Sequence, residues 1–466
     1  MKKILALILM FIVSLCPLYV LSTGAAGDFI VENGVLLSFS GNATTVTIPD
    51  DVYYIADGAF KGNINISKLN LHNKVQAIGN EAFYGCTSLK EVTGGDNVGF
   101  SGAYAFYNTP FLADSGSKLK ILGNVLLGGN INGEAELPDG VRMIAPYAFA
   151  DNTSLVTLKT PDSLNVIGEG AFYRCTNLSE VIIGSNVSDI GPLAFSGTKM
   201  IKNSKDDFVI IGNGFLLQYK GNETEATVPD TVKHITGCAF YSNSDIIKVT
   251  VPEGVCSVGE RAFMNCANLK AVDLPDSLIM IDKEAFAKCK ALKSATIPEN
   301  VTLLGESVFY GCSSLEKAEF KNFGDIPRGT FANCTALEYV NLPLNINSIG
   351  DSAFLNCTKL TDLSASNSIS VIGTDAFKGT DNLTVSCIEG SYVYSYCTDN
   401  AINTLQCGDA NTDGKVNIRD ATYIQKFAAS LVELSDLEKL RAECNFDGKI
   451  NVRDATYIQK MLAGLL

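Results

Sequence analysis

The chain has 466 residues, 46% of them hydrophobic and 18% charged, and its 50 acidic against 36 basic side chains give a net charge of −14. That composition belongs to a globular chain with ample apolar matter for a core. Its acidity argues against nucleic acid or an anionic membrane surface as partner, because both are bound through Lys and Arg. With no Trp and 2 His, His72 and His234, almost every His-based triad or metal cluster is excluded, though enzymes as such are not, and the commonest large sugar-stacking side chain is absent.

Lys2 and Lys3 precede an apolar run over residues 4–21, and the small residues Ser22 to Gly27 follow it. This is the pattern of a secretory signal peptide over residues 1–26, cleaved after Ala26. Leu15 stands before Cys16 where a lipoprotein signal needs a small residue, so no lipid anchor is expected. No later segment is long and apolar enough to span a bilayer, so the mature chain is expected to be secreted and not inserted in a membrane.

The repeat dipeptide Ala-Phe, or a close variant, then places Phe at 60, 83, 106, 149, 172, 195, 240, 263, 286, 309, 331, 354 and 377, mostly 23 residues apart. Such a period predicts a solenoid whose coils bury their apolar faces only against one another. In one coil the apolar positions are Leu269, Val272, Leu274, Leu278, Ile281, Ala285, Phe286, Cys289 and Leu292, with a strand over residues 269–274 ended by Pro275. These strands are expected to stack into one parallel sheet. The two long steps, of 43 and 45 residues, and the chain start each carry a turn before Leu-Leu, at Gly123-Asn124, Asn213-Gly214 and Asn33-Gly34. They predict three hairpins, read as spacers and an N-terminal cap.

The motif Ile349, Gly350, Ala353, Phe354, Cys357, Leu360 resembles the BspA-type leucine-rich repeats of bacterial surface proteins. The resemblance covers about residues 28 to 406 and implies a mainly β or irregular leucine-rich-repeat solenoid, assigned to residues 27–385. Cysteines 86, 175, 266, 289, 312, 334 and 357 stand three residues after the repeat Phe, where other coils have Asn or Thr. A small side chain that satisfies backbone groups at a buried bend is common to all three, so these are read as unbonded thiols. Residues 386–406 are read as a capping segment, with a helix suggested by Val393, Tyr396, Cys397, Asn400 and Ala401.

The outward strand row (Asn70, Thr93, Lys159, Ile182, Thr250, Asp273, Thr296, Glu319, Asn341, Ser364) and its neighbour (Lys68, Glu91, Glu180, Lys248, Lys317, Tyr339, Asp362) form a mixed polar face. Asp273 and Glu319, two coils apart, suggest a glycosidase pair, but an open face gives no pocket to raise one carboxyl, so no enzyme is expected. His72 and His234 are read as plain surface residues.

Residues 407–466 hold the nameable chemistry. Asp409, Asn411, Asp413, Lys415 through its carbonyl, Asn417 and Asp420 occupy positions 1, 3, 5, 7, 9 and 12 of an oxygen-donor calcium loop, with Gly414 at the turn. Glu443, Asn445, Asp447, Lys449, Asn451 and Asp454 repeat the arrangement, with an unusually long acid at position 1. Residues 413–426 and 447–460 agree at 12 of 14 positions, differing only by Val416 for Ile450 and Ile418 for Val452. Paired loop-helix units of this kind resemble the type I dockerin module of cellulosomes, a small all-α, EF-hand-like fold. The resemblance implies two calcium ions and a cohesin of a scaffoldin as partner. By loop position it gives Ile418, Arg419, Gln425, Lys426, Val452, Arg453, Gln459 and Lys460 as cohesin contacts, with core packing an equal alternative for the aliphatic pair Ile418 and Val452.

The function expected is a non-catalytic recognition or adhesion protein, a monomer apart from its cohesin complex. Its repeats bind a protein or cell-surface ligand and its dockerin attaches it to a cellulosome. A carbohydrate-binding accessory module is the alternative, and a glycoside-acting enzyme stands behind that.

Overall fold

The computed structural model describes residues 28–113, 119–321, 324–342, 346–445 and 449–465. The expected signal peptide, Cys16 and Asp447 lie outside the described residues. The chain forms two compact units, Met1–Lys205 and Asp206–Leu466. Both are built from stacked coils of the expected period.

The coil around Phe286 shows why. Leu269, Leu278, Ile281, Ala285, Phe286, Cys289 and Leu292 are all buried. The strand is shorter than the predicted 269–274, spanning Ala271–Asp273, because Leu269 already closes a turn by donating its N–H to the Cys266 carbonyl at 3.1 Å. The return segment holds a second strand, Met280–Ile281, paired in parallel with Ser257–Val258 before it and Leu303–Leu304 after it. Such coils therefore feed two ladders rather than the single sheet expected. A two-residue strand is too short to leave an alternating pattern in the sequence, yet its backbone groups still need partners. Glycine follows several of these short strands because the coils touch there: a Cβ on Gly350 would lie 2.5 Å from the backbone nitrogen of Arg328.

The repeat Phe rings stack in columns, with centroids 4.8 Å apart for Phe60 and Phe83 and 5.1 Å for Phe263 and Phe286. Phe39 extends one column and Tyr219 another, each taking the aromatic place in a coil that lacks the Ala-Phe signal. The ladder thiols behave as expected. Cys289 and Cys312 donate to the carbonyls of Phe263 and Phe286, both at 3.1 Å, and no disulfide forms among the described residues. Where Asn or Thr replaces Cys it does related work: Asn152 accepts from the N–H groups of Ser154 and Leu155, and Thr109 donates to Phe106.

All three predicted hairpins form: Phe29–Glu32 with Val35–Phe39, Lys120–Leu122 with Val125–Gly128, and Phe208–Ile211 with Phe215–Tyr219. Asn33 and Gly34 both have left-handed φ, 48° and 74°, as a two-residue turn between twisted strands requires. The hairpins are more than spacers. In each, the second strand is itself the first rung of a parallel ladder, continued by Tyr54–Ile55, Met143–Ile144 and His234–Ile235. Short helices α1 (Pro110–Ala113) and α2 (Lys199–Asn203) follow Phe106 and Phe195, in the two coils whose repeat pattern degenerates.

The expected capping helix is α3, Tyr392–Asp399, opened by the Ser391 hydroxyl and burying Val393 and Cys397. The ladder continues past it, because Asn403–Gln406 pairs in parallel with Thr384–Cys387. Three helices follow: α4 (Ile418–Ala428), α5 (Asp436–Ala442) and α6 (Val452–Leu462). Helices α4 and α6 pack together around Ala421, Ile424, Ala455 and Ile458, and α5 lies against the strands Tyr339–Asn341 and Asp362–Ser364.

Candidate functional site

Both predicted loops lead directly into a helix, and the residue at position 12 does double duty. Asp420 is the third residue of α4, where its carboxylate accepts from the N–H of the cap residue Asn417 at 2.9 Å while Asn417 accepts from Arg419. Its second oxygen accepts from the N–H of Asn411 at 3.1 Å. Asp454 and Asn451 repeat the reciprocal cap on α6. These boxes fix both helix starts through backbone donors that would otherwise lack partners.

Asp409, at position 1, is fully buried and accepts from the N–H groups of Asp413 and Gly414. Asp420 is also fully buried. Desolvation pushes its carboxyl above the usual range, backbone hydrogen bonds pull against that, and the charges of Asp409 and Asp413 add to the rise. Among the described residues no three His, Cys, Asp or Glu side chains converge as a metal cluster, since these carboxylates face loop N–H groups. The donor chemistry nonetheless fits a hard divalent cation: three carboxylates and two amide side chains lie within twelve residues, and two of the acids are held away from water. In the second loop Asn445 and Asp454 keep the equivalent arrangement, at 3.3 Å from N–H to carboxylate, and Glu443 is the C-terminal cap of α5.

The candidate contact residues divide from the core cleanly. Ile418 and Val452 are 58% and 56% exposed, so the core-packing role open to them from sequence is excluded. Arg419, Gln425 and Lys426 on α4, and Arg453, Gln459 and Lys460 on α6, are exposed as well.

The BspA type leucine rich repeat model, of six copies, matches residues 37–125, 128–216, 209–338 and 324–405. The chain belongs to this family. The type I dockerin domain model matches residues 407–463. Among solved structures, the chain is 27% identical to a leucine rich cell surface protein from Faecalibacterium prausnitzii, covering 70% of this chain and 95% of that one at a TM-score of 0.32. It is 21% identical to a leucine-rich repeat protein from Bacteroides ovatus, covering 82% and 100% at 0.36. A leucine-rich repeat protein from Bacteroides capillosus is 30% identical, covering 25% and 93% at 0.21. No curated protein matches the chain. Both families are non-catalytic, type I dockerins are in general calcium-binding, and the dockerin implies a cohesin partner.

On the leucine-rich repeats, the predicted outward rows are real ladders: Lys248 pairs with Ala271 in register and Thr250 with Asp273. Asp273 is tied to Lys248 at 2.8 Å and Glu319 to Lys317 at 2.9 Å, so the suggested carboxylate pair is two separate ion pairs. The histidines are not plain surface residues. Both are half-buried: His72 Nε2 lies 2.8 Å from the Pro49 carbonyl, and His234 stacks on Phe215 beside the Ser257 hydroxyl, its pKa lowered by burial.

One feature escaped the sequence reading. Tyr84 stacks on Tyr107 at 5.6 Å, Tyr107 meets Tyr104 edge-on at 5.5 Å, and Tyr104 stacks on Tyr147 at 4.6 Å. Tyr104 and Tyr107 are exposed. These residues sit one after or two before a repeat Phe, on the turn edge of the coils, away from the strand rows that looked like the binding face.

Proposed function

We propose that this is an exported, non-catalytic recognition protein whose leucine-rich repeats hold a protein or cell-surface ligand and whose dockerin attaches it, with calcium, to a cohesin of a cellulosome scaffoldin. In this reading residues 1–26 are the signal peptide, 27–385 the repeats, 386–406 the cap and 407–466 the dockerin. The observation that carries the reading is the duplicated exposed set on α4 and α6, with Arg, Gln and Lys at the same positions of both helices. Calcium would be held by Asp409, Asn411, Asp413, the Lys415 carbonyl, Asn417 and Asp420, and by Glu443, Asn445, Asp447, the Lys449 carbonyl, Asn451 and Asp454. Bound there, it supplies the positive charge that offsets the clustered carboxylates. The chain's own residues do the rest, since the caps set the helix starts and the apolar sides of α4 and α6 hold the contact residues outward. Calorimetry against a cognate cohesin tests this. Arg419→Ala with Lys426→Ala leaves the second face and near-normal binding, whereas adding Arg453→Ala and Lys460→Ala abolishes it. Undiminished binding by the fourfold variant would defeat the assignment.

The tyrosine stack favours a second reading, a carbohydrate-binding accessory module. Exposed aromatic faces stack on the C–H faces of sugar rings, and tyrosine supplies them here in place of the missing Trp. Polysaccharide retention that survives Tyr104→Ala with Tyr107→Ala would dismiss it.

A further inference from the structure

The dockerin is not tethered to the repeats by backbone alone. Arg441, near the end of α5, divides its guanidinium between two carboxylates: Nη1 donates to Asp409 Oδ2 at 3.0 Å, and Nη2 donates to Asp362 Oδ1 at 2.5 Å. Asp409 is position 1 of the first loop. Asp362 belongs to the repeats, in the outward strand Asp362–Ser364. The cluster is sheltered, with side-chain exposures of 13% for Arg441, 19% for Asp362 and 0% for Asp409. Arg441 also ties the loop through its backbone, its carbonyl accepting from the Gly408 N–H at 3.2 Å.

The charges at this joint do not balance. Asp409, Asp413 and Asp420 set three negative charges in the first loop, the repeats add a fourth at Asp362, and one guanidinium serves two of them, Asp409 and Asp362. The loop's other cations, Lys415 and Arg419, are exposed to water and screened. Without a further cation, seating the repeats' Asp362 against the loop brings like charges together at low exposure. A divalent cation in the loop removes that repulsion and leaves Arg441 free to serve Asp362.

We propose that Arg441 couples cation occupancy of the first dockerin loop to the seating of α5 on the leucine-rich repeats, each favouring the other. This rests on the reading of the loop as a calcium site. The joint then stiffens when the metal is bound. Helices α4 and α6 keep their contact residues exposed throughout, so the grip on the repeats does not compete with a cohesin. Such coupling is reciprocal, so the carboxylate on the repeats must contribute to metal affinity although it lies outside the loop.

The test uses the full chain, stripped of metal and titrated with calcium chloride by calorimetry, with hydrogen exchange followed over α5 and the strand Asp362–Ser364. In the wild type calcium raises protection at both. Asp362→Asn weakens one of the two calcium sites by about tenfold and removes the calcium-dependent protection. Asp273→Asn, the same charge change on a distant coil, leaves both as in the wild type. Arg441→Lys keeps the charge but cannot fork between two carboxylates, and it too loses the calcium-dependent protection. Normal calcium affinity and protection in Asp362→Asn would overturn the coupling while leaving the calcium site standing. A wild-type chain that takes up no calcium would instead remove the calcium reading and the coupling with it.

Discussion

At the scale of single residues, the ladder thiols show how a sequence position can be assigned without knowing its partner. Their shared offset with Asn and Thr already indicates a small group that satisfies buried backbone, and the structure supplies the carbonyl, which belongs to the Phe of the preceding coil. Burial pushes the thiols of Cys266, Cys312 and Cys357 from the ordinary 9.0 up to about 12. In the unfolded chain these thiols ionise near pH 9, whereas in the folded chain they do not until near 12. Their contribution is therefore fully present below pH 9 and is lost as pH rises from 9 toward 12. Each thiol then costs about 1.4 kcal/mol of stability per pH unit in that window. Denaturant midpoints measured from pH 8 to 11 should fall steeply above 9, and iodoacetamide at pH 8 should leave the seven ladder cysteines unmodified until the protein unfolds. Rapid native alkylation of Cys312 would refute their burial. The Phe column behaves similarly. Phe286 is buried between Phe263 and Phe309, so Phe286→Ala should cost about 3–5 kcal/mol, read as a lowered unfolding midpoint.

At the scale of elements, the hairpins were legible because Asn-Gly between apolar runs is a local code for left-handed φ. That their second strands are rungs was not, since pairing with a strand about 20 residues away has no local signature. The dockerin helices were legible through duplication and loop spacing, but the exposure of Ile418 and Val452 was not, because an aliphatic residue opening a helix fits a core or a contact equally well. The loops suggest a metal-removal experiment at this scale. Their buried carboxylates make the metal-free module costly to fold, while the repeats draw most of their stability from stacked Phe and from ladder hydrogen bonds outside the joint at Asp362–Ser364. Chelation should lower the melting transition of the dockerin and leave that of the repeats in place. Unchanged melting of both would show that the loops hold no structurally important ion.

For the whole molecule, charge separates the roles. Residues 407–466 hold 8 basic and 9 acidic groups and residues 1–26 hold 2 basic, which leaves 26 against 41 in residues 27–406, a net of −15. A ligand of the repeats should therefore carry positive charge, and its association should weaken as salt rises from 0.05 to 0.5 M, because exposed charges are screened over that range. Cohesin binding in the proposed reading rests on exposed aliphatic side chains as well as Arg and Lys, and it should change less over the same range. A ligand of the repeats whose association rate is indifferent to salt would count against electrostatic recognition.

The period, the hairpins, the thiol ladder and the paired loops are legible without any coordinates. Each of these is written in residues that are close in the chain or that recur at a fixed interval. The tertiary structure alone decided the second ladder, the tyrosine stack on the turn edge and the division of Arg441 between Asp409 and Asp362. Two-residue strands carry no alternation, and the tyrosines fall at two coil positions, one after and two before the repeat Phe, spread over three coils whose stacking completes the group. The guanidinium reaches a carboxylate 79 residues away that looks, in sequence, like any other acid on a solvated strand.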